Sequence, residues 1–216
     1  MERYITIQEM STGEYCEKHS RFIAVALPCQ TGEEASVLID RQRTKMWDAN
    51  HHVYAYITDN GKTVRFSDDG EPHGTAGKPV LEALQGSGLV NVCVVVTRYF
   101  GGVLLGTGGL VRAYTKACQQ ALATANCVEY LPCDIIRIQY PYSEHSKLQK
   151  LLESFTVVDV KYDYGVAITA RFGILAEQKE KFLSDLQERF SAQLTAEEIE
   201  TVMHPFPVEC LDTHFA

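Results

Sequence analysis

A chain of 216 residues suits one large domain or two small ones, and either can bury a real core. Apolar residues make up 45% and charged residues 22%, the composition of an ordinary globular protein. The formal net charge of -8 argues against wrapping nucleic acid over a broad surface, yet it leaves room for one local basic site.

The first residues, MERYITIQEM, lack a basic segment followed by an apolar one. The longest apolar runs, such as VCVVV, fall far short of the roughly 20 residues that span a bilayer. A cytoplasmic protein with no membrane partner is expected. The seven cysteines, Cys16, Cys29, Cys93, Cys118, Cys127, Cys133 and Cys210, are scattered and show no C-x-x-C spacing. A disulfide framework or structural zinc site would look different, so free thiols are expected, with Cys93 in the core.

In chain order, SRFIAVALP is the clearest early strand, and GEEASVLIDRQRTKM is a candidate helix. HHVYAYIT and TVRFSDDG flank Asp59-Asn60-Gly61, a hairpin signal. His51 and His52 begin the first of these runs, so their side chains point to opposite faces. A helix is expected over GKPVLEALQGS, with Gly74 or Thr75 near its cap and Lys78 close by. NVCVVVTRYF reads as a buried strand from its β-branched residues. GGLVRAYTKACQQALATAN reads as a helix with a glycine-rich lead-in. Strands and helices mix, which predicts an α+β or α/β class.

The pattern changes near VEYLPCD, and Pro132 marks the expected linker between domains 1–132 and 133–216. The first part carries net charge -2 and nearly all glycine-rich turns, while the second carries -6. In the second part, CDIIRIQYPY is a strand and SEHSKLQKLLESF a helix, with Ser143 as N-cap and Leu148, Leu151, Leu152 and Phe155 on one face. TVVDVKYDYGVAITARF gives two strands around Asp163-Tyr164-Gly165. LAEQKEKFLSDLQERF is a helix with Phe182, Leu186 and Phe190 inward, and EEIETVMHPF a last strand. The order βαββαβ is the ferredoxin-like unit, which by itself fixes no function.

Chemistry concentrates in TRYFGGVLLGTGGLVRAYTKA, residues 97–117. Gly101, Gly102, Gly106, Gly108 and Gly109 permit positive φ and close backbone approach. A helix follows, whose free N–H groups and positive dipole end suit an anion such as phosphate. Arg98 precedes the loop, and Arg112 and Lys116 lie one turn apart after it. No acidic residue occurs between Glu82 and Glu129, which makes a local positive island. Tyr99, Phe100 and Tyr114 offer faces for stacking on bases. The spacing fits neither the dinucleotide nor the Walker pattern. Tight turns and helix–sheet packing explain the same glycines without a ligand.

A second cluster is FSDDGEPHGTAGKP, residues 66–79. Asp68, Asp69 and Glu71 are candidates for a hard metal or for acid–base work. Capping and salt bridges to Arg98 or Arg112 are the simpler reading. The pattern assigns no metal and no cofactor.

FSDDGEPHGTAGKP and VVVTRYFGGVLLGTGGLVRAY, together with KHSRFIA and DANHHVYAY, closely resemble the YigZ/IMPACT family. The resemblance implies a ribosomal protein S5 domain 2-like fold for residues 1–132. It also implies a ferredoxin-like accessory domain similar to the last domain of elongation factor G. It places the family signature on Asp68, Asp69, Gly70, Glu71, Pro72, Gly74, Thr75, Ala76, Gly77, Arg98, Arg112 and the five loop glycines, and the family histidine on His52. This chain departs from the pattern at Met46-Trp47 and at His73. Eukaryotic relatives act in translational control. Some members carry a proline dipeptidase label, which the residues here do not support.

Two kinds of function follow. The first is a translation-associated protein that holds RNA phosphates or a ribosomal surface with Arg98, Arg112, Lys116 and the loop amides, its acidic second domain free to meet a protein partner. The second is an enzyme or binding protein for a small phosphorylated ligand, with Asp68, Asp69 or Glu71 as acid or base. The second loses ground if Asp69 or Glu71 bonds Arg98 or Arg112 and no cleft remains. A protein–protein adaptor is the third alternative.

Overall fold

The computed structural model describes residues 2–208. Its elements, in chain order, are β1 (Tyr4–Ile7), β2 (Ser11–Glu17), β3 (Ser20–Pro28), α1 (Gly32–Lys45), β4 (His51–Thr58), β5 (Thr63–Ser67), α2 (Gly77–Gly86), β6 (Val92–Tyr99) and α3 (Gly106–Ala123). There follow β7 (Cys127–Tyr140), α4 (His145–Leu152), β8 (Val157–Tyr164), β9 (Ile168–Leu175), α5 (Lys179–Arg189) and β10 (Ala196–Pro207). The chain divides into two compact units, one built on Tyr4–Glu129 and the other on Tyr130–Pro205. The class is α+β, as the resemblance implies, with antiparallel strand pairs where the mixed pattern left α/β open.

In the first unit, the sheet order is β2-β3-β6-β4-β5, with antiparallel neighbours throughout. The central strand β6 explains why VCVVVTRY has no polar alternation. Val92, Val94 and Val96 face the core shared with α2 and α3, while Cys93 and Val95 face α1 through Ala35 and Ile39. A strand covered on both faces reads as a continuous apolar run. The β4–β5 hairpin turns through Asp59–Gly61, where all three residues have positive φ. This arrangement is the S5 domain 2-like fold.

In the second unit, β7 pairs with β9 and β10, and β9 with β8, giving the order β10-β7-β9-β8. That is the ferredoxin-like arrangement of a βαββαβ chain. Leu148, Leu151 and Leu152 of α4 and Phe182 and Leu186 of α5 share one core, joined by Phe190 and partly by Phe155.

Two local expectations are corrected. Ser143 is not the cap of α4: it lies inside a 3-10 turn, Tyr142–Glu144, that leads into the helix after Pro141. The N-cap position of α2 is Ala76, next to Thr75 as expected, and the Asp68 carboxylate from the preceding loop serves the amides there. Cys127 is disulfide-bonded, whereas Cys16, Cys29, Cys93, Cys118 and Cys133 are free thiols. An odd, scattered cysteine count leaves room for one pair that only folding brings together. Cys210 lies outside the described residues. Among the described residues no helix is long and apolar enough to cross a membrane.

Candidate functional site

The site follows from the register of β6. Alternation puts Arg98 on the same face as Val92, Val94 and Val96, at the end of the apolar layer. A guanidinium there needs a buried partner, because an isolated charge out of water is very unfavourable. Glu71, from the loop before α2, supplies it: Arg98 Nη1 donates to Glu71 Oε1 at 2.6 Å, with the two side chains 6% and 3% exposed. Tyr114 of α3 donates its hydroxyl to the same oxygen at 2.6 Å. Burial first, and the Glu71 carboxylate second, push the Tyr114 hydroxyl far above its ordinary pKa, so it remains a donor. The rings of Phe22 and Phe100 each lie 5.4 Å from the Arg98 guanidinium carbon. Phe22 also meets Tyr114 edge-on at 5.0 Å.

The two histidines separate as alternation predicts. His51 pairs across the sheet with Arg98 and shares its face. Its Nδ1 lies 2.8 Å from the Asp69 carbonyl, an acceptor only, so Nδ1 carries the proton. His51 Nε2 is then left 3.9 Å from Glu71. His52 faces the other way and is held by the Met46 carbonyl at 3.0 Å.

The acidic cluster works as scaffold. Asp68 accepts from the amides of Gly74 (2.8 Å), Ala76 (3.1 Å) and Gly77 (2.8 Å), so one carboxylate caps the start of α2. Asp69 binds Arg43 at 2.9 Å and the His52 amide at 2.6 Å. Thr75 donates to the Pro72 carbonyl, and Lys78 makes only an exposed pair with Glu82. His73 is fully exposed. Among the described residues no group of three or more His, Cys, Asp or Glu is placed to hold a metal.

The glycine loop closes the other side. Gly101 packs so tightly on the backbone of His19 and Ser20 that a Cβ would overlap it. Its amide donates to Ser20 Oγ, and the Phe100 amide donates to Asn50 Oδ1 at 2.7 Å. Gly102 and Gly106 have positive φ, 81° and 71°. The helix α3 starts at Gly106, two residues before the expected lead-in ends, and no side chain caps it. Gly108 and Gly109 lie in its first turn; a Cβ on Gly108 would meet Arg112 Nη1 at 3.8 Å, so Arg112 reaches back over that turn. Arg112 and Lys116 are exposed, and neither makes an ion pair among the described residues. Lys116 rests over the Tyr15 ring at 5.0 Å.

Between these parts a cavity of about 450 Å³ remains, lined by His51, Glu71, Arg98, Phe100, Gly106, Thr107 and neighbouring apolar residues. The structure therefore brings together Arg98, Glu71, Gly106 and the start of α3. It leaves Lys78 and His52 apart from that cavity. Glu71 bonds Arg98, but a cleft persists.

Two readings of the positive island change. Glu71 and Asp48 fold onto it, Asp48 accepting from the Tyr99 hydroxyl, so it is acid-free only along the chain. Tyr114 is wholly buried and offers no stacking face. Its position on the apolar stripe with Leu110, Ala117, Cys118 and Ala121 carried that signal. Asn50 and His51 line the cavity from within DANHHVYAY, a stretch in which the resemblance put the family histidine on His52 instead.

Comparison with known proteins fits this division. The Impact N-terminal domain matches residues 18–122, and a domain of unknown function (DUF1949) matches residues 138–193. An IMPACT family member of Haemophilus influenzae is 37% identical over 186 residues, 85% of this chain and 90% of that protein. The IMPACT family member YigZ of Escherichia coli is 37% identical over 184 residues, 83% of this chain and 90% of its own. A crystal structure titled only as a hypothetical protein is 33% identical, with a TM-score of 0.60, and the match covers 93% of this chain and 98% of that one. With both domains matched and more than a third of aligned residues shared over most of its length, the chain belongs to the IMPACT family.

Proposed function

We propose that this protein is a translation-associated binding protein of the cytoplasm that holds RNA phosphates, on or off a ribosomal surface, through the glycine loop and the first turns of α3. The observation that carries this reading is the uncapped start of α3, with Arg112 reaching back over it and Lys116 one turn on, both exposed and without acidic partners among the described residues. Free amides, a positive helix end and unpaired cations in one place favour phosphate. Arg98 has a different part: locked to Glu71, it fixes the end of β6 from which the loop departs. The acidic second domain is available for a protein partner.

The test is ribosome co-pelleting across a salt series, with wild type and Arg112→Ala/Lys116→Ala. Pelleting should fall with salt, and the double variant should lose binding with a salt slope shallower by about one unit per phosphate contact removed. Pelleting indifferent to salt, or intact in the double variant, overturns the reading. Arg98 is left in place because its removal would strand Glu71 in the core.

A further inference from the structure

We propose that the cavity beside Arg98 holds one nucleotide, with its phosphate on the first turn of α3 and its base against Phe100. The nucleotide is either a free 5′-monophosphate or a single unstacked nucleotide of an RNA strand, the chemistry being the same. This inference rests on the reading above and names what the loop recognises.

Two independent observations point to a ligand. Gly106 and Thr107 line the cavity, and they stand at the start of an 18-residue helix whose first amides no side chain caps. Arg98 also lines it, is 5% exposed, and has a buried Nε with no hydrogen-bond partner among the described residues. Buried donors are nearly always paired, so an unpaired arginine nitrogen beside a cavity marks a missing acceptor. Of the two rings beside that guanidinium, Phe22 is fully buried and Phe100 is 44% exposed. Access therefore opens on the Phe100 side.

The remaining walls suit a base. Phe100, Leu104 and Leu110 give an apolar surface next to the anion position, and Leu104 is 82% exposed. Aromatic rings bind bases by stacking without regard to sequence. Asn50 uses its carbonyl oxygen on the Phe100 amide, which leaves its NH₂ as a donor. His51 uses Nδ1–H on Asp69, which leaves Nε2 as an acceptor. A donor and an acceptor on adjacent residues, both on the cavity wall, match the hydrogen-bonding edge of a base. The volume of about 450 Å³ lies in the usual range for small-ligand pockets.

The experiment is titration calorimetry on the full chain with each of the four ribonucleoside 5′-monophosphates, inorganic phosphate, and a short single-stranded RNA oligomer. Wild type is compared with Thr107→Glu and Phe100→Ala. Thr107 is exposed, and an acid in the first turn suits the helix dipole, so Thr107→Glu should melt no lower than wild type while repelling phosphate. Each substitution should weaken binding by about tenfold. Monophosphate binding weakened by both supports the assignment with a free nucleotide as source. Binding of the oligomer alone, with the same sensitivity, supports it with RNA as source. Inorganic phosphate binding as tightly as the monophosphates overturns it, as does no binding of either nucleotide form, or binding indifferent to Thr107→Glu. Ribosome pelleting lost in Arg112→Ala/Lys116→Ala, together with no binding of either nucleotide form, overturns the cavity assignment and leaves the surface reading standing. Monophosphate binding by a protein that does not pellet with ribosomes does the reverse.

Discussion

Arg98 and Glu71, 27 residues apart in the chain, form an ion pair at 2.6 Å with both side chains almost entirely out of water. Removing either partner leaves an uncompensated buried charge. Glu71→Ala should therefore destabilise by about 3–5 kcal/mol. Replacing both, as Arg98→Met/Glu71→Leu, should cost much less than the two single changes together. Tyr114→Phe, which removes one hydrogen bond to the same carboxylate, should cost about 1–3 kcal/mol. Chemical denaturation of the single and double variants checks all three.

Asp68 serves three backbone amides at the start of α2. Asp68→Ala should cost about 1–2 kcal/mol, the upper end of a lost N-cap, and Asp68→Asn less. Hydrogen exchange should speed up at Gly74, Ala76 and Gly77 in the alanine variant, with little change in α3.

The thiols should react in a fixed order. Cys16 is exposed, whereas burial pushes Cys29 up to about 11 and Cys118 up to about 12, and raises Cys93 and Cys133 as well. Since the thiolate is the nucleophile, iodoacetamide at neutral pH should label Cys16 first among these five. The other four should label only after denaturation, as read by peptide mass spectrometry. Early labelling of Cys118 would mean that the α2–α3 core opens readily.

In the second unit, Asp134 is buried at 3.0 Å from Lys179 and accepts from the Thr201 hydroxyl. Burial alone would raise its pKa, but Thr201 and Lys179 bring it below the usual 3.8. Its contribution to stability is thus complete above pH 3.8 and is lost as pH falls through the lower folded value. Lys179, raised above 10.5 chiefly by its hydrogen bond to Asp134, contributes fully below 10.5 and loses its part as pH rises through the higher folded value. Asp134→Asn should destabilise by about 2 kcal/mol at neutral pH. The gap from wild type should stay flat between those limits and close in strong acid, as followed by thermal melts against pH.

Much of the architecture was legible in the chain because it rests on local periodicity. HHVYAYIT and SRFIAVALP are strands with the bounds their patterns imply, and the βαββαβ order of the second part is read directly from alternating apolar runs and helical stripes. The parity of His51 and His52 was legible for the same reason. The cap of α4 was misread because Pro141 sets up a 3-10 turn that absorbs Ser143 before the α-helix begins.

What the sequence by itself determined is a mixed class, the strands and helices, and the glycine–arginine stretch as the place where backbone amides come free. What only the tertiary structure decided is which charges in that stretch are available. Arg98 and Arg112 look alike along the chain, separated by a loop and nearly two turns of helix. Strand alternation turns Arg98 into the core, where Glu71 and Tyr114 must meet it, while Arg112 stays on the exposed side of α3. Local pattern fixes the face on which a side chain leaves its element. Whether that face meets water or a buried carboxylate depends on segments far away in sequence, and pairing at that distance leaves no periodic trace.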